Sequence, residues 1–338
     1  PDRLVLETSP FYAESGGQVG DRGTIAAKDG AFRFRVEDTQ KVGEVVVHLG
    51  ELEGRRPEKG AEVETEVDLA QRDRTKKHHT ATHLLHKALR DLLGDHVTQQ
   101  GSYVGPDRLR FDFSNPKGLE AEQIEAIENQ VNAQILRNSP VVSTEEELDA
   151  AKERGVMALF GEKYADRVRV VDVGGWSTEL CGGTHVSAAG DIGPFLILSE
   201  RAIQAGVRRI EAVAGEAALQ EIQRQRRLLQ DAGRALKASP DEVPDRVAQL
   251  QKQVKEAKKQ KSAAAGADVD AAFAKASEAI SEAGDLAFGA FRFPTLDAKA
   301  LGDLGSRLHG KHQNLAIGLL GGADGKVPFL ILCEGSAQ

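Results

Sequence analysis

Apolar and polar positions alternate along the first part of the chain, and the period lengthens soon afterwards. AFRFRVED (31–38) and EVVVHL (44–49) place apolar side chains on every second position between Gly and Asp turns, the period of strands with one covered face. Strands this short need closure or cover, so a small β-barrel subdomain is expected over residues 1–72. HTATHLLHKALRDLL (79–93) has the apolar spacing of a helix ending near Gly94, and LEAEQIEAIENQVNAQIL (119–136) predicts a second helix before Pro140. LRFDF (109–113), RVRVVDV (167–173), GPFLILSE (193–200) and GVRRIEAVAG (206–215) read as strands. Two helices among many strands predict a two-layer α/β core with an antiparallel sheet over 73–214.

The pattern changes again after Gly215. Residues 215–284 are rich in Ala, Gln, Lys, Arg and Glu, and Val243, Val247, Leu250, Val254 and Ala257 keep the 4-3-4-3 spacing of a coiled-coil or helical-hairpin seam. Pro240 and Pro244 predict the break between two linker helices, and KQVKEAKKQK (252–261) reads as a solvated helix face. In 285–338, LGDLGSRLHGKH looks helical, LAIGLLGG and VPFLILCEG look like strands, and ADGK is the turn between them, a small α/β domain. The fold class expected is α+β.

Composition narrows the classes. A length of 338 residues predicts two or three domains, and 40% hydrophobic content is enough for real cores. With 12 Phe, 3 Tyr and 1 Trp, those cores must be mainly aliphatic. A net charge of −8 argues against a general nucleic-acid coat but leaves room for a local basic face. No apolar run approaches the roughly 18 residues of a membrane span. PDRLVLETSP lacks the layout of a signal peptide, and Pro1 in place of Met predicts a piece of a longer polypeptide. Two cysteines, Cys181 and Cys333, are too few for a disulfide scaffold, so a reducing cytoplasm is expected.

Two motifs carry chemistry. In His79-Thr80-Ala81-Thr82-His83 the imidazoles sit at i and i+4, on one helix face, within reach of one metal. Zinc peptidases place Glu after the first His; Thr80 stands there instead, which removes that reading's base. His78 and His86 leave open which imidazoles take part. In Cys181-Gly182-Gly183-Thr184-His185 a thiolate and an imidazole are joined by flexible glycines, suited to a tight chelating turn. Together they offer His79, His83, Cys181 and His185 as a Zn2+ set. Four protein ligands close a tetrahedral site, as structural zinc does, whereas a zinc-hydroxide mechanism needs an open position. The residues leave both open.

ESGGQVGDRG (14–23), HTATHLLHKALR (79–90), LRFDF, ALFGEKYADRVRVV (158–171), ELCGGTH (179–185) and GVRRIEAVAG, in this order, resemble the alanyl-tRNA synthetase family over its editing domain, helical linker and part of its C-terminal domain. The resemblance implies hydrolysis of mischarged Ser-tRNA(Ala) and Gly-tRNA(Ala), the aminoacylation domain of the same polypeptide and its ATP site lying outside this chain. An alanine pocket cannot strongly exclude serine, one hydroxyl larger, or the smaller glycine, so a second sieve is needed. Thr82 and Gln99 resemble editing-pocket positions able to satisfy a serine hydroxyl, and Cys181 is counted with them among the catalytic candidates. Ser15-Gly16-Gly17-Gln18 is a glycine-rich loop that the resemblance places near the tRNA acceptor end. Lys76, Lys77, Arg208 and Arg209 are candidate phosphate contacts. A homodimer through the linker and C-terminal domain is a further expected partner. The residues name no general base. Rival readings are a non-catalytic, zinc-stabilised tRNA-binding and dimerisation module, a free-standing editing protein, and an editing domain of the threonyl-tRNA synthetase type, against which the SGGQ loop and the helical linker weigh.

Overall fold

A computed structural model describes residues 2–157, 165–312, 314–322 and 327–334. The first half of the ALFGEKYADRVRVV motif and the ADGK turn lie outside these residues. The chain divides into two compact units, Pro1–Arg227 and Leu228–Gln338.

The first unit opens with β1 (Asp2–Val5), β2 (Gly23–Ala27), β3 (Phe32–Val42), β4 (Val45–Gly54) and β5 (Val63–Val67), an antiparallel sheet in the order β1-β4-β3-β2-β5. Phe11, Ile25, Phe32, Phe34 and Val36 form its core, with the alternate positions Arg33 and Arg35 exposed, as a period of two requires. The pairing among the described residues does not itself show the closure a barrel needs. The order is linear, and β1 and β5 are its two ends among the described residues.

Asp68 caps the next element, its carboxylate accepting from the Gln71 amide at 2.9 Å. Helix α1 (Leu69–Leu93) follows, and every residue from His78 to His86 is buried. A helix covered on all sides is central, and His78, His79, Thr80 and Thr82 bond inside the protein, while His83 Nδ1 and His86 Nε2 are left without a partner among the described residues. Around it come β6 (Gln99–Val104), β7 (Leu109–Ser114), α2 (Ala121–Arg137), β8 (Val141–Glu147), α3 (Leu148–Glu153), β9 (Arg167–Val173), β10 (Ser177–Leu180), β11 (Phe195–Gln204) and β12 (Val207–Ala214). These strands make two antiparallel sheets, β11-β12-β7-β6 and β10-β9-β8. Leu84, Leu85 and Leu89 of α1 pack with Phe111, Phe113, Ile127 and Ile210 in the largest core. Truncating one such leucine to alanine costs about 2–5 kcal/mol.

Helix α4 (Glu216–Leu236) precedes α5 (Val243–Ala279). Pro244 lies in the first turn of α5, where a missing N–H costs nothing, so it starts that helix rather than breaking it. The seam residues Val247, Leu250 and Val254 are exposed, so this stripe is not covered as a paired seam would be. In the second unit β13 (Ser281–Ala283), β14 (Leu286–Arg292), α6 (Ala298–Lys311), β15 (Leu315–Leu320) and β16 (Phe329–Glu334) build a sheet in that strand order. The parallel pair β14–β15 is joined by α6, the crossover such pairing needs. Leu301, Leu304 and Leu308 of α6 pack with Ala272 and Ala276 of α5 and with Leu315 and Ile317. The architecture is mixed α+β. No described helix is long and apolar enough to cross a membrane.

Candidate metal centre and adjoining cavity

The i, i+4 spacing puts His79 and His83 on one face of α1, and β10 leads directly into the turn that carries Cys181 and His185. Their four ligand atoms lie within 4.8 Å of one another. Cys181 Sγ is 3.4 Å from His79 Nε2 and 3.3 Å from His185 Nε2. The outer nitrogens of two rings are held by the protein. His79 Nδ1 is 2.6 Å from Gln18 Oε1, and His185 Nδ1 is 3.1 Å from Thr80 Oγ1. Such outer bonds orient imidazoles that bind metals. His83 Nδ1 is buried with no hydrogen-bond partner among the described residues, an orphan that the chain's own hydrogen bonding does not account for. Three imidazoles and a thiol, buried and converging, fit a borderline-soft cation. The cluster is capable of holding a metal ion.

The groups of the cluster shift one another in both directions. Burial works against a thiolate at Cys181, but the nearby His79 and His83 and the hydrogen bond from His185 hold it well below the usual thiol range. Burial likewise opposes charge on His83, yet Glu179 and Cys181 lift it to about 9. His185 is pushed down to about 3 by burial and by His79. Against the desolvation of its own carboxylate, Glu179 is lowered by His83 and His86.

Beside the cluster lies a cavity of about 270 Å3 lined in part by Ser15, Gly16, Thr82, Gln99 and Cys181. Thr82 Oγ1 donates to the His78 carbonyl at 2.8 Å, so what it still offers is an acceptor. Gln99, half-buried at the start of β6, makes no side-chain hydrogen bond among the described residues. Gly17 and Gln18 are not on the cavity wall. A Cβ at Gly17 would fall 2.7 Å from the Ser102 carbonyl oxygen, so the loop's approach to β6 requires glycine there. Gln18 is 1% exposed and spends its amide inside the protein.

The basic candidates lie elsewhere. Lys76 pairs with Asp73 at 3.2 Å and Lys77 with Glu216 at 2.8 Å, around a separate groove. Arg208 is clasped by Glu200 at 2.6 Å, and Arg209 binds Asp112 bidentately at 2.7 and 2.8 Å. None of the four lines the cavity. His78 and His86, the two histidines left open by the sequence, stand outside the four-residue cluster. His78 donates from Nδ1 to the Gly105 carbonyl at 2.8 Å and accepts from the Ala214 amide at 3.0 Å, a packed neutral ring whose burial lowers it to about 4. His86 lines the cavity, Nδ1 3.5 Å from Glu179 Oε2 and Nε2 buried without a partner among the described residues.

Sequence reasoning missed Tyr12, Arg167, Arg169 and Glu179, all on the cavity wall. Arg167 and Arg169 stand two apart on β9, so a strand-face argument on RVRVVDV would have found them together. Glu179 sat in view inside ELCGGTH. Arg169 donates to the carbonyls of Gly183 and Cys181 and to Ser143 Oγ, and pairs with no carboxylate among the described residues.

Residues 168–211 match the family described as Threonyl and Alanyl tRNA synthetase second additional domain, and residues 1–71 match tRNA synthetases class II (A). The chain is similar to alanine–tRNA ligases. It is 51% identical over 258 residues to that of Methylobacillus flagellatus, which covers 76% of this chain and 29% of that protein. With the Paramagnetospirillum magneticum enzyme identity is 44% over 340 residues, covering 97% and 38% of the two. With that of Sphingopyxis alaskensis it is 49% over 313 residues, covering 89% and 35%. The chain thus spans between 29% and 38% of the length of these curated relatives.

Proposed function

This chain belongs to the alanine–tRNA ligase family over the portion that includes its editing domain, and from that premise we propose that it hydrolyses the ester of Ser-tRNA(Ala) and Gly-tRNA(Ala). The supporting observation is the convergence of Thr82, Gln99, Arg169, Glu179 and the His/Cys cluster on one small cavity. At about 270 Å3 it sits near the lower end of small-molecule sites, which run from roughly 300 to 1,000 Å3. That suits an aminoacyl group at the end of an acceptor strand.

Thr82 Oγ1, having given its proton to His78, accepts from a serine hydroxyl, and the free Gln99 amide completes that recognition. Alanine satisfies neither group, and a polar site rejects the substrate lacking its partner far better than an apolar pocket rejects an added hydroxyl. Arg169 supplies fixed positive charge where the carbonyl oxygen becomes negative. Glu179, a carboxylate on the wall outside the ligand set, takes the proton of the attacking water. Zn2+ held by His79, His83, Cys181 and His185 would lock α1 against the 181–185 turn and add positive charge beside the reacting ester. The acceptor end of tRNA(Ala), with Ser15 and Gly16 at the cavity mouth and Lys76, Arg208 and Arg209 on phosphate, is the proposed partner, alongside the aminoacylation domain and a homodimer.

Incubating the chain with Ser-tRNA(Ala), Gly-tRNA(Ala) and Ala-tRNA(Ala) and following release of the amino acid tests the proposal. Release from the first two with Ala-tRNA(Ala) spared is expected. Bound zinc without release would favour the binding-module reading, which the closed four-donor set also fits.

A further inference from the structure

Gln18 lies 61 residues from His79 in sequence, in a loop of the N-terminal segment, and is 1% exposed. Its amide orientation follows from chemistry. The Thr184 backbone N–H can only donate, so the Gln18 atom 2.9 Å from it is the carbonyl oxygen. That same oxygen is 2.6 Å from His79 Nδ1. A carbonyl oxygen cannot donate, so Nδ1 must carry the ring proton, and a neutral ring then has its lone pair on Nε2. Nε2 is the nitrogen 3.4 Å from Cys181 Sγ. The amide nitrogen of Gln18 donates to Thr184 Oγ1 at 2.9 Å, which fixes the side chain to the chelating turn as well.

The loop itself is anchored. Val104 donates to the Gly17 carbonyl at 2.7 Å and Val19 to the Val104 carbonyl at 3.0 Å, so residues 17–19 extend the edge of β6. One glutamine thus touches a ligand-bearing helix and the ligand-bearing turn while its backbone is tied to a third element. A leucine of similar length would leave His79 Nδ1 and the Thr184 N–H without their shared acceptor.

We propose that Gln18 is a positioning residue of the metal centre, which holds His79 in the tautomer that presents Nε2 to the ion and thereby couples metal binding to seating of the 15–18 loop. The inference rests on the metal reading given above and extends it to a residue outside the ligand set. Partners of this kind change metal affinity by about 10–100-fold when removed.

The test is zinc competition against a chromogenic chelator with the full 338-residue chain, Gln18→Leu and Gln18→Glu. Gln18→Leu should weaken zinc binding by roughly 10–100-fold. Gln18→Glu keeps an acceptor for both His79 and Thr184, and its affinity should stay within about 3-fold of the parent or tighten. In the parent chain, stripping zinc should speed hydrogen exchange at the Val19 and Val104 amides, and this arm needs no variant to fold. Equal affinity in Gln18→Leu and the parent, an equal loss in both variants, or exchange at Val19 and Val104 indifferent to zinc would each overturn the proposal. A parent chain that takes up no zinc would overturn the metal reading and this inference together, whereas zinc uptake unchanged by Gln18→Leu would sink the inference alone.

Discussion

Arg72 of α1 donates from Nε to Asp21 Oδ2 at 2.9 Å, joining the central helix to the loop that follows the SGGQ turn. The Asp21 side chain is 6% exposed and that of Arg72 19%, so the pair is largely withdrawn from water. Arg72 also reaches the Pro10 carbonyl at 2.6 Å, and Asp21 accepts from the Tyr12 amide at 2.6 Å. Removing one member strands the other, which for buried pairs costs about 3–5 kcal/mol. Arg72→Ala is expected to lose about 3 kcal/mol in urea unfolding, the low end because Arg72 keeps some solvent contact. A loss below about 1 kcal/mol would put this pair with ordinary surface bridges.

Thr82 offers an acceptor to the cavity and little else, which makes a sharp prediction for Thr82→Val, a change that keeps the shape and deletes the oxygen. Release of serine from Ser-tRNA(Ala) should fall by about tenfold or more, the worth of one hydrogen bond of about 1.4 kcal/mol. Release of glycine, which has no hydroxyl to recognise, should fall much less. Gln99→His should narrow the gap between Ser-tRNA(Ala) and Ala-tRNA(Ala) in the same assay. If both variants leave rates and selectivity as they were, recognition of the hydroxyl lies elsewhere.

His48 is buried in β4, with Nε2 2.7 Å from Ser9 Oγ and Nδ1 3.0 Å from the Leu4 carbonyl. Burial lowers its pKa despite the bond to Leu4, so the folded protein resists a proton that the unfolded chain accepts near pH 6.5. The unfolded state therefore binds more protons as pH falls below about 6.5, and stability drops with it until the folded ring also titrates. His48→Gln should flatten that part of the curve. Urea midpoints measured from pH 7.5 to 5 for both proteins check this, and parallel curves would rule it out.

The His/Cys cluster was legible because its information is local. HTATH and CGGTH each fix two side chains by spacing alone, one on a helix face and one around a turn. What joins them is not local. Gln18 reaches His79 across 61 residues, and Arg169, Glu179 and Tyr12 meet on the cavity wall only after several strands have paired. Barrel closure is likewise a question of whether β1 meets β5, on which alternation within a strand is silent. The stripe at Val247, Leu250 and Val254 shows the converse. Periodicity identifies an apolar row correctly and says nothing of what covers it.

Gly182 and Gly183 are neighbours in the turn that carries Cys181 and His185, yet the structure treats them differently. A Cβ on Gly183 would lie 2.1 Å from His79 Cε1 and 2.9 Å from Gln18 Oε1, while one on Gly182 meets nothing within 4 Å. Neither contact at Gly183 is with the yielding end of a mobile surface chain, because His79 and Gln18 are both buried and hydrogen-bonded to each other. The ring or the turn must therefore shift, and either movement separates the donors of the cluster. Gly183→Ala should lose about 1–3 kcal/mol to overpacking and bind zinc much more weakly, as read by chelator competition and metal content after desalting. Gly182→Ala should retain metal and stability. Because the two variants add the same methyl group one residue apart, a general effect of stiffening the loop would weaken both alike. Only a difference between them locates the constraint at the contact of Gly183 with His79.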